Sequence, residues 1–287
     1  MIKWPEQLVE DVARRRAIAF LGAGVSKNST GKGLRRPPNW SEFLETALKK
    51  CPGPTAHIKK LIKDQDYLTA CEIIKQRLDE DFNSIISQEF VDPHYTHAQI
   101  HRDIFKLDLR LVATQNFDRI YDNFAQSESK GTTHVKSYSD EDISIIARGK
   151  THHIIKVHGS VEQPAKMIFT RKEYTEARYK HGPFYALMDA LALTQTFLFL
   201  GCSISDPDIR LMLERHTHMH PYARPHYIVM PRNALHEDVR ESTRKNLNLK
   251  ILTYDPKLHH QELADSIAAL TSLVETERDA IAAERRW

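Results

Sequence analysis

Four short stretches carry groups able to do chemistry. GAGVS (22–26) follows the apolar run AIAFL, and a glycine turn in that place lets backbone N–H groups approach a phosphate. TQNFD (114–118) ends a second apolar run in packed polar groups, which require a ligand or a turn to satisfy them. Asn116 and Asp118 equally suit the cap of a following helix. KVHGS (156–160) sets His158 at a third strand end, and GCSISD (201–206) closes a fourth. An Asn side chain both donates and accepts hydrogen bonds, and an imidazole with a pKa near neutrality can take a proton in a reaction, a role worth roughly 10²–10⁴-fold.

The glycine turn alone does not choose its ligand. A nucleoside-triphosphate loop needs four residues between its first Gly and the Gly-Lys, then Ser or Thr; here Gly24 and Gly31 are separated by six, and Gly33 follows Lys32. The dehydrogenase fingerprint needs a third glycine where this chain has Lys27. By itself the turn reads only as a tight strand-to-helix connection. Among the other histidines, His216 and His220 of HTHMH share a helix face as a possible metal pair, but no third ligand is evident and a solvated helix end is favoured. His152 and His153 flank a strand, His97 packs ahead of TQNFD, and no metal is expected.

These residues need elements to hold them. Apolar runs of strand length recur at 17–22, 109–116, 153–159, 196–201, 226–230 and 249–254, with helical patterns such as 40–50, 67–78, 184–194 and 208–218 between them. Alternation of this kind predicts an α/β fold: a Rossmann-like, mostly parallel sheet with helices on both faces, a helical insertion at about 40–105 and a C-terminal helix at about 260–287. That last helix is a candidate oligomer contact, and Gly31–Pro38 is a candidate mobile loop. At 287 residues the chain suits one domain, 1–287. A formal net charge of +3 gives no reason to expect direct nucleic-acid binding. The three scattered cysteines form no CxxC pair and fit a reducing, cytoplasmic setting, and no apolar run approaches the roughly 20 residues that span a bilayer.

Taken in order, GAGVS, TQNFD, HG and GCS resemble the sirtuin-like NAD-binding family. GCSISDPDIRLML (201–213) and FTRKEY (169–174) look more particularly like the bacterial sirtuin-like NAD+ hydrolases of antiphage defence, over about residues 15–235. The resemblance implies that Gly22, Ala23, Gly24 and Ser26 approach the pyrophosphate of NAD+, and that Gln115, Asn116 and Asp118 surround the nicotinamide ribose. It implies His158 as general base, Gly201 and Ser203 on the adenosine side, and Asp206 as a further cofactor-binding residue. GLRRPPNW (33–40) departs from the family's nicotinamide-covering segment, and HYIVMPR (226–232) lacks its late asparagine.

Sirtuin deacylases carry a zinc module built from two CxxC pairs after the histidine, whereas here only Cys202 follows His158. The resemblance therefore implies hydrolysis of NAD+ to nicotinamide and ADP-ribose, with Asn116 and His158 catalytic and NAD+ as substrate. It also implies an abortive-infection effector that forms a homo-oligomer. With no room left for a separate sensor domain, activation is expected from a partner in trans such as a HerA-type DNA-translocating ATPase. A sensor that binds NAD+ or ADP-ribose without turnover, and a protein ADP-ribosyltransferase or deacylase, are the alternatives.

Overall fold

The computed structural model describes residues 1–204 and 206–285. Helix α1 (Glu6–Ala13) leads into strand β1 (Ala17–Leu21), and the one-turn α2 (Ala23–Ser26) follows at once. Five helices then intervene: α3 (Trp40–Lys50), α4 (Ala56–Lys63), α5 (Tyr67–Leu78), α6 (Asp81–Phe90) and α7 (Gln99–Lys106). Next come β2 (Leu111–Thr114), α8 (Ile120–Glu128), β3 (His134–Ser137) and β4 (His153–Lys156). Two helices, α9 (Arg171–Lys180) and α10 (Gly182–Thr194), lead to β5 (Thr196–Leu200) and α11 (Pro207–Met219). The chain continues through β6 (His226–Pro231), α12 (Glu237–Leu247), β7 (Leu249–Tyr254) and α13 (Lys257–Glu284).

The seven strands form one sheet in the order β3-β4-β2-β1-β5-β6-β7, and every pairing is parallel. The sheet is thus wholly parallel, where the sequence predicted a mostly parallel one. Strand β1 explains why it is buried on both faces: Ala17, Ala19 and Leu21 enter one core while Ile18 and Phe20 enter the other. Strand β5 does the same, with Leu198 and Leu200 on the first side and Phe197 and Phe199 on the second. Helices α1, α7 and α13 cover the first face; α9, α10, α11 and α12 supply the second.

The insertion predicted at 40–105 folds as α3 to α7, and α3 to α6 share a third core. Phe43 and Phe169 stack within it and Phe82 meets both edge to face, with Phe169 contributed by the segment after β4, so this helical layer is fastened over the sheet's carboxyl end. In α13, Leu263, Ile267, Leu270, Val274 and Ile281 form one buried stripe. The stripe is covered by the chain's own α1 and α7, which gives the apolar face of the predicted terminal helix a partner within the molecule. Regular helix begins after His260, because Leu258, His259 and His260 have left-handed backbones; residues 286 and 287 lie outside the described chain. The 31–38 segment is tied down by Lys32 N–H donating to Pro93 O and by Arg36 donating to Lys27 O.

Candidate active site

In an open parallel sheet, ligands bind beyond the carboxyl ends of the strands, near the point where strand order reverses. Here that point lies between β1 and β5, whose loops carry Gly22, Gly24 and Gly201. The three glycines pack against one another. A Cβ on Gly22 would lie 2.4 Å from Gly201 O, and one on Gly201, whose φ is +63°, would lie 2.6 Å from Val25 N. Gly24 N–H donates to Gly201 O at 3.0 Å. Glycine is needed here because two loops touch backbone to backbone.

In front of this contact lies a cavity of about 280 Å³, lined by Ala23, Gln115, Asn116, Asp118, His158, Ser203 and Asp206 among others. Of the residues singled out in the sequence, these seven are brought together; Gly22, Gly24, Ser26 and Gly201 stand behind them. Trp40, Phe43 and Phe117 give the cavity an aromatic wall. Four helices begin at its rim: Asn39–Trp40 at α3, Asp66–Tyr67 at α5, Arg171 at α9 and Asp206–Pro207 at α11. Their caps explain these starts. Asn39 with Glu42 and Thr170 with Glu173 form capping boxes, while Asp66 and Asp206 accept from their own first-turn amides. Four positive helix ends around one cavity favour an anionic occupant.

The polar groups of TQNFD are largely spent within the protein. Asn116 Nδ2 donates to Gly22 O at 3.0 Å and to Ser26 Oγ at 2.9 Å. Its donors are therefore engaged, and Oδ1 remains as the acceptor. Ser26, buried, passes the chain on by donating to Asp118 Oδ2 at 2.8 Å, while Asp118 Oδ1 accepts from Ile120 N–H. Ser26 and Asp118 are thus fixed parts of the turn. Gln115 also lines the cavity, and its buried Oε1 has no hydrogen-bond partner among the described residues.

His158 lies two residues beyond the end of β4 and is only 4% exposed. Its Nε2 stands 3.6 Å from Asp206 Oδ2 and 3.7 Å from Asp208 Oδ2, too far for a hydrogen bond to either. Burial opposes a charge on this ring, but the two carboxylates outweigh it and raise the pKa above the ordinary value. Those carboxylates are themselves held. Tyr174 OH donates to Asp206 Oδ2 at 3.0 Å, Tyr185 OH to Asp208 Oδ2 at 3.2 Å, and Arg178 Nε to Asp208 Oδ1 at 2.6 Å. Burial works to raise the Asp208 carboxyl, yet His158 and Arg178 hold it below its ordinary range.

Asp208, Tyr185 and Arg178 were not singled out in the sequence. Asp208 stands in the first turn of a helix, where an acid is expected for the macrodipole alone, and only the tertiary fold turns it toward the histidine. The other histidines go elsewhere: His97 stacks on Phe124 at 4.3 Å, and His216 lies 5.3 Å from His220 and 5.2 Å from His226 between ring centres. Among the described residues, no group of three or more His, Cys, Asp or Glu is placed to hold a metal ion. Among the same residues, no helix is long and apolar enough to cross a membrane.

Fold and site together define a Rossmann-like α/β protein with a polar cavity at the carboxyl ends of its central strands. Residues 110–252 match the SIR2-like domain, and this part of the chain is a SIR2-like domain. It is 24% identical over 211 residues to the NAD(+) hydrolase ThsA of Bacillus cereus, covering 73% of this chain and 42% of that one. Against the NAD(+) hydrolase ThsA of Acinetobacter baumannii it is 27% identical over 130 residues, 45% of this chain and 27% of the relative. It is also 21% identical over 211 residues to defense-associated sirtuin 2 of Bacillus subtilis, 72% of this chain and 20% of the relative. The chain spans less than half the length of each of these relatives.

Proposed function

We propose that this chain hydrolyses NAD+ at the bond between nicotinamide and ribose, releasing nicotinamide and ADP-ribose. The observation that carries this reading is that one cavity is lined both by Asn116, whose Oδ1 has no hydrogen-bond partner among the described residues, and by His158, a buried imidazole set beside the carboxylates of Asp206 and Asp208. The aromatic wall suits a flat pyridine ring, the orphaned Gln115 Oε1 suits a ribose hydroxyl or an amide N–H, and the ring of helix starts suits the pyrophosphate.

The chemistry needs little more. Nicotinamide leaves with the electron pair of the C1′–N bond and is then neutral, so its departure requires no general acid. The protein must stabilise an oxocarbenium-like ribosyl cation and supply water. A water donating to Asn116 Oδ1 adds its oxygen to C1′, and its surplus proton passes to the unprotonated ring nitrogen of a neutral His158. Because the Asn116 donors are occupied, this side chain orients the water by accepting alone; the double role expected from the sequence is narrowed to one.

Residues 1–287 act in this reading as one catalytic unit, with α3 to α6 covering the cavity. The name defense-associated sirtuin 2 also supports a part in defence, and a role against phage extends the proposal. Assembly as a homo-oligomer and activation by a partner such as a HerA-type ATPase extend the same proposal. The test is to incubate purified protein with NAD+, with and without the product of the neighbouring gene, and to follow nicotinamide by chromatography. Wild type should release it, and Asn116→Ala and His158→Ala, folded by circular dichroism, should release it at least about 10²-fold more slowly. Absence of release from activated wild type overturns the reading. Saturable NAD+ binding without product would then point to a sensor, labelled ADP-ribose on protein to a transferase, and loss of an acyl mark to a deacylase.

A further inference from the structure

Outside the cavity lining lies a buried charged pair that the proposed reaction does not use. Lys156, the last residue of β4, is 1% exposed, and its Nζ stands 3.0 Å from Oδ2 of Asp122, also 1% exposed, in the first turn of α8. Burial tends to raise the Asp122 carboxyl, and the ammonium beside it only partly offsets this. Such a pair is a poor source of stability, because desolvating two charges consumes most of what their attraction returns; apolar replacements of similar volume are often as stable.

The geometry of the Lys156 ammonium suggests another role. Its Nζ also donates to the backbone carbonyl of Asp118 at 2.6 Å. From there the connection is continuous: the Asp118 carboxylate holds Ser26 Oγ, and Ser26 Oγ holds the Asn116 amide, which is fixed on its other side by Gly22 O. The strand that carries Lys156 delivers His158 two residues later. It is paired to β2, where Thr114 stands opposite Lys156, two residues before Asn116. One buried ammonium thus joins the loops after β1, β2 and β4.

We propose that Lys156, neutralised by Asp122, is a positioning residue that locks the 115–118 turn against β4 and so aims Asn116 Oδ1 into the cavity that His158 enters. Its catalytic consequence rests on the hydrolase reading above; its structural content does not. Removing one partner strands a buried charge and confuses stability with position, so the informative variant removes both: Lys156→Met/Asp122→Leu. In full-length protein labelled with 15N-asparagine, the Asn116 side-chain amide, assigned by its loss in Asn116→Ala, should shift in the double variant. In the NAD+ assay, kcat should fall about 10–100-fold with KM changed less than about twofold, the pattern of a displaced reacting group.

An unmoved Asn116 signal overturns the proposal, and so does an unchanged kcat in an active enzyme. Should wild type release no nicotinamide, the hydrolase reading falls while the amide signal alone still decides the role of Lys156. If the apolar pair fails to fold, Lys156→Gln/Asp122→Asn, close in size and without charge, is read by the same two measurements and the same criteria.

Discussion

His158 is a base placed between two acids, and the arrangement has a sign. Its folded pKa lies above its unfolded one because Asp206 and Asp208 outweigh the cost of burial. Its stabilising effect is therefore complete below about pH 6.5 and is lost as pH rises through the folded value. In the proposed reaction it acts as general base only when neutral, so turnover should climb with pH through that raised value. Asp208→Asn removes one of the groups that raise it. Both the titration of the His158 ring, followed by NMR, and the acid limb of kcat/KM should move to lower pH; a limb that stays in place would show that Asp208 does not tune the base. That His158 and Asn116 would meet at one cavity was legible as sequence because unusual polar residues close apolar strands there. Asp208, Tyr185 and Arg178 were not, since each reads as an ordinary helix residue until tertiary packing brings α9, α10 and α11 around the histidine.

At the level of elements, the six strands read from apolar runs are all present, because strands buried on both faces leave an unmistakable run of aliphatic and aromatic residues. The seventh, β3, left no such run: HVKS is an edge strand with no buried residue, and pairing with β4 rather than burial makes it a strand. The glycines illustrate the same limit. Sequence read them as an approach for a ligand and gave no sign of a second use, in which Gly22 and Gly201 let two loops touch. Alanine substitutions separate conformation from contact. Gly33 has a φ of +65° but open space around it, so Gly33→Ala should cost only about 1–2 kcal/mol. Gly22 has an ordinary extended backbone, so Gly22→Ala tests contact alone and should cost more, about 3 kcal/mol, as the loops are forced apart. Gly201→Ala carries both penalties and should be the worst of the three. Urea unfolding measures the order, and a Gly22→Ala as mild as Gly33→Ala would mean that the loop contact is loose.

Across the whole molecule, buried neutral imidazoles set the response to acid. His101 Nδ1 accepts from Ala98 N–H, and His226 Nδ1 accepts from Phe197 N–H, so both bonds require an unprotonated nitrogen. Burial lowers the pKa of His101 to about 4 and that of His226 to about 3. For such groups the stability is present above the unfolded value near 6.5 and is lost as pH falls toward the folded values, because the unfolded chain takes up the protons first. At pH 5 each should have cost about 2 kcal/mol, a large share of the roughly 5–15 kcal/mol that holds a domain together. His158 offsets this only in the upper part of the range, since its contribution is complete below about pH 6.5 and grows no further. The urea midpoint should therefore drop steeply between pH 7.5 and 5. His101→Asn/His226→Asn supplies a neutral acceptor at each Nδ1 position and should flatten that slope by more than half, even if it lowers stability at pH 7.5. A slope as steep as that of wild type would place the acid sensitivity in other groups and leave these two histidines as packing alone.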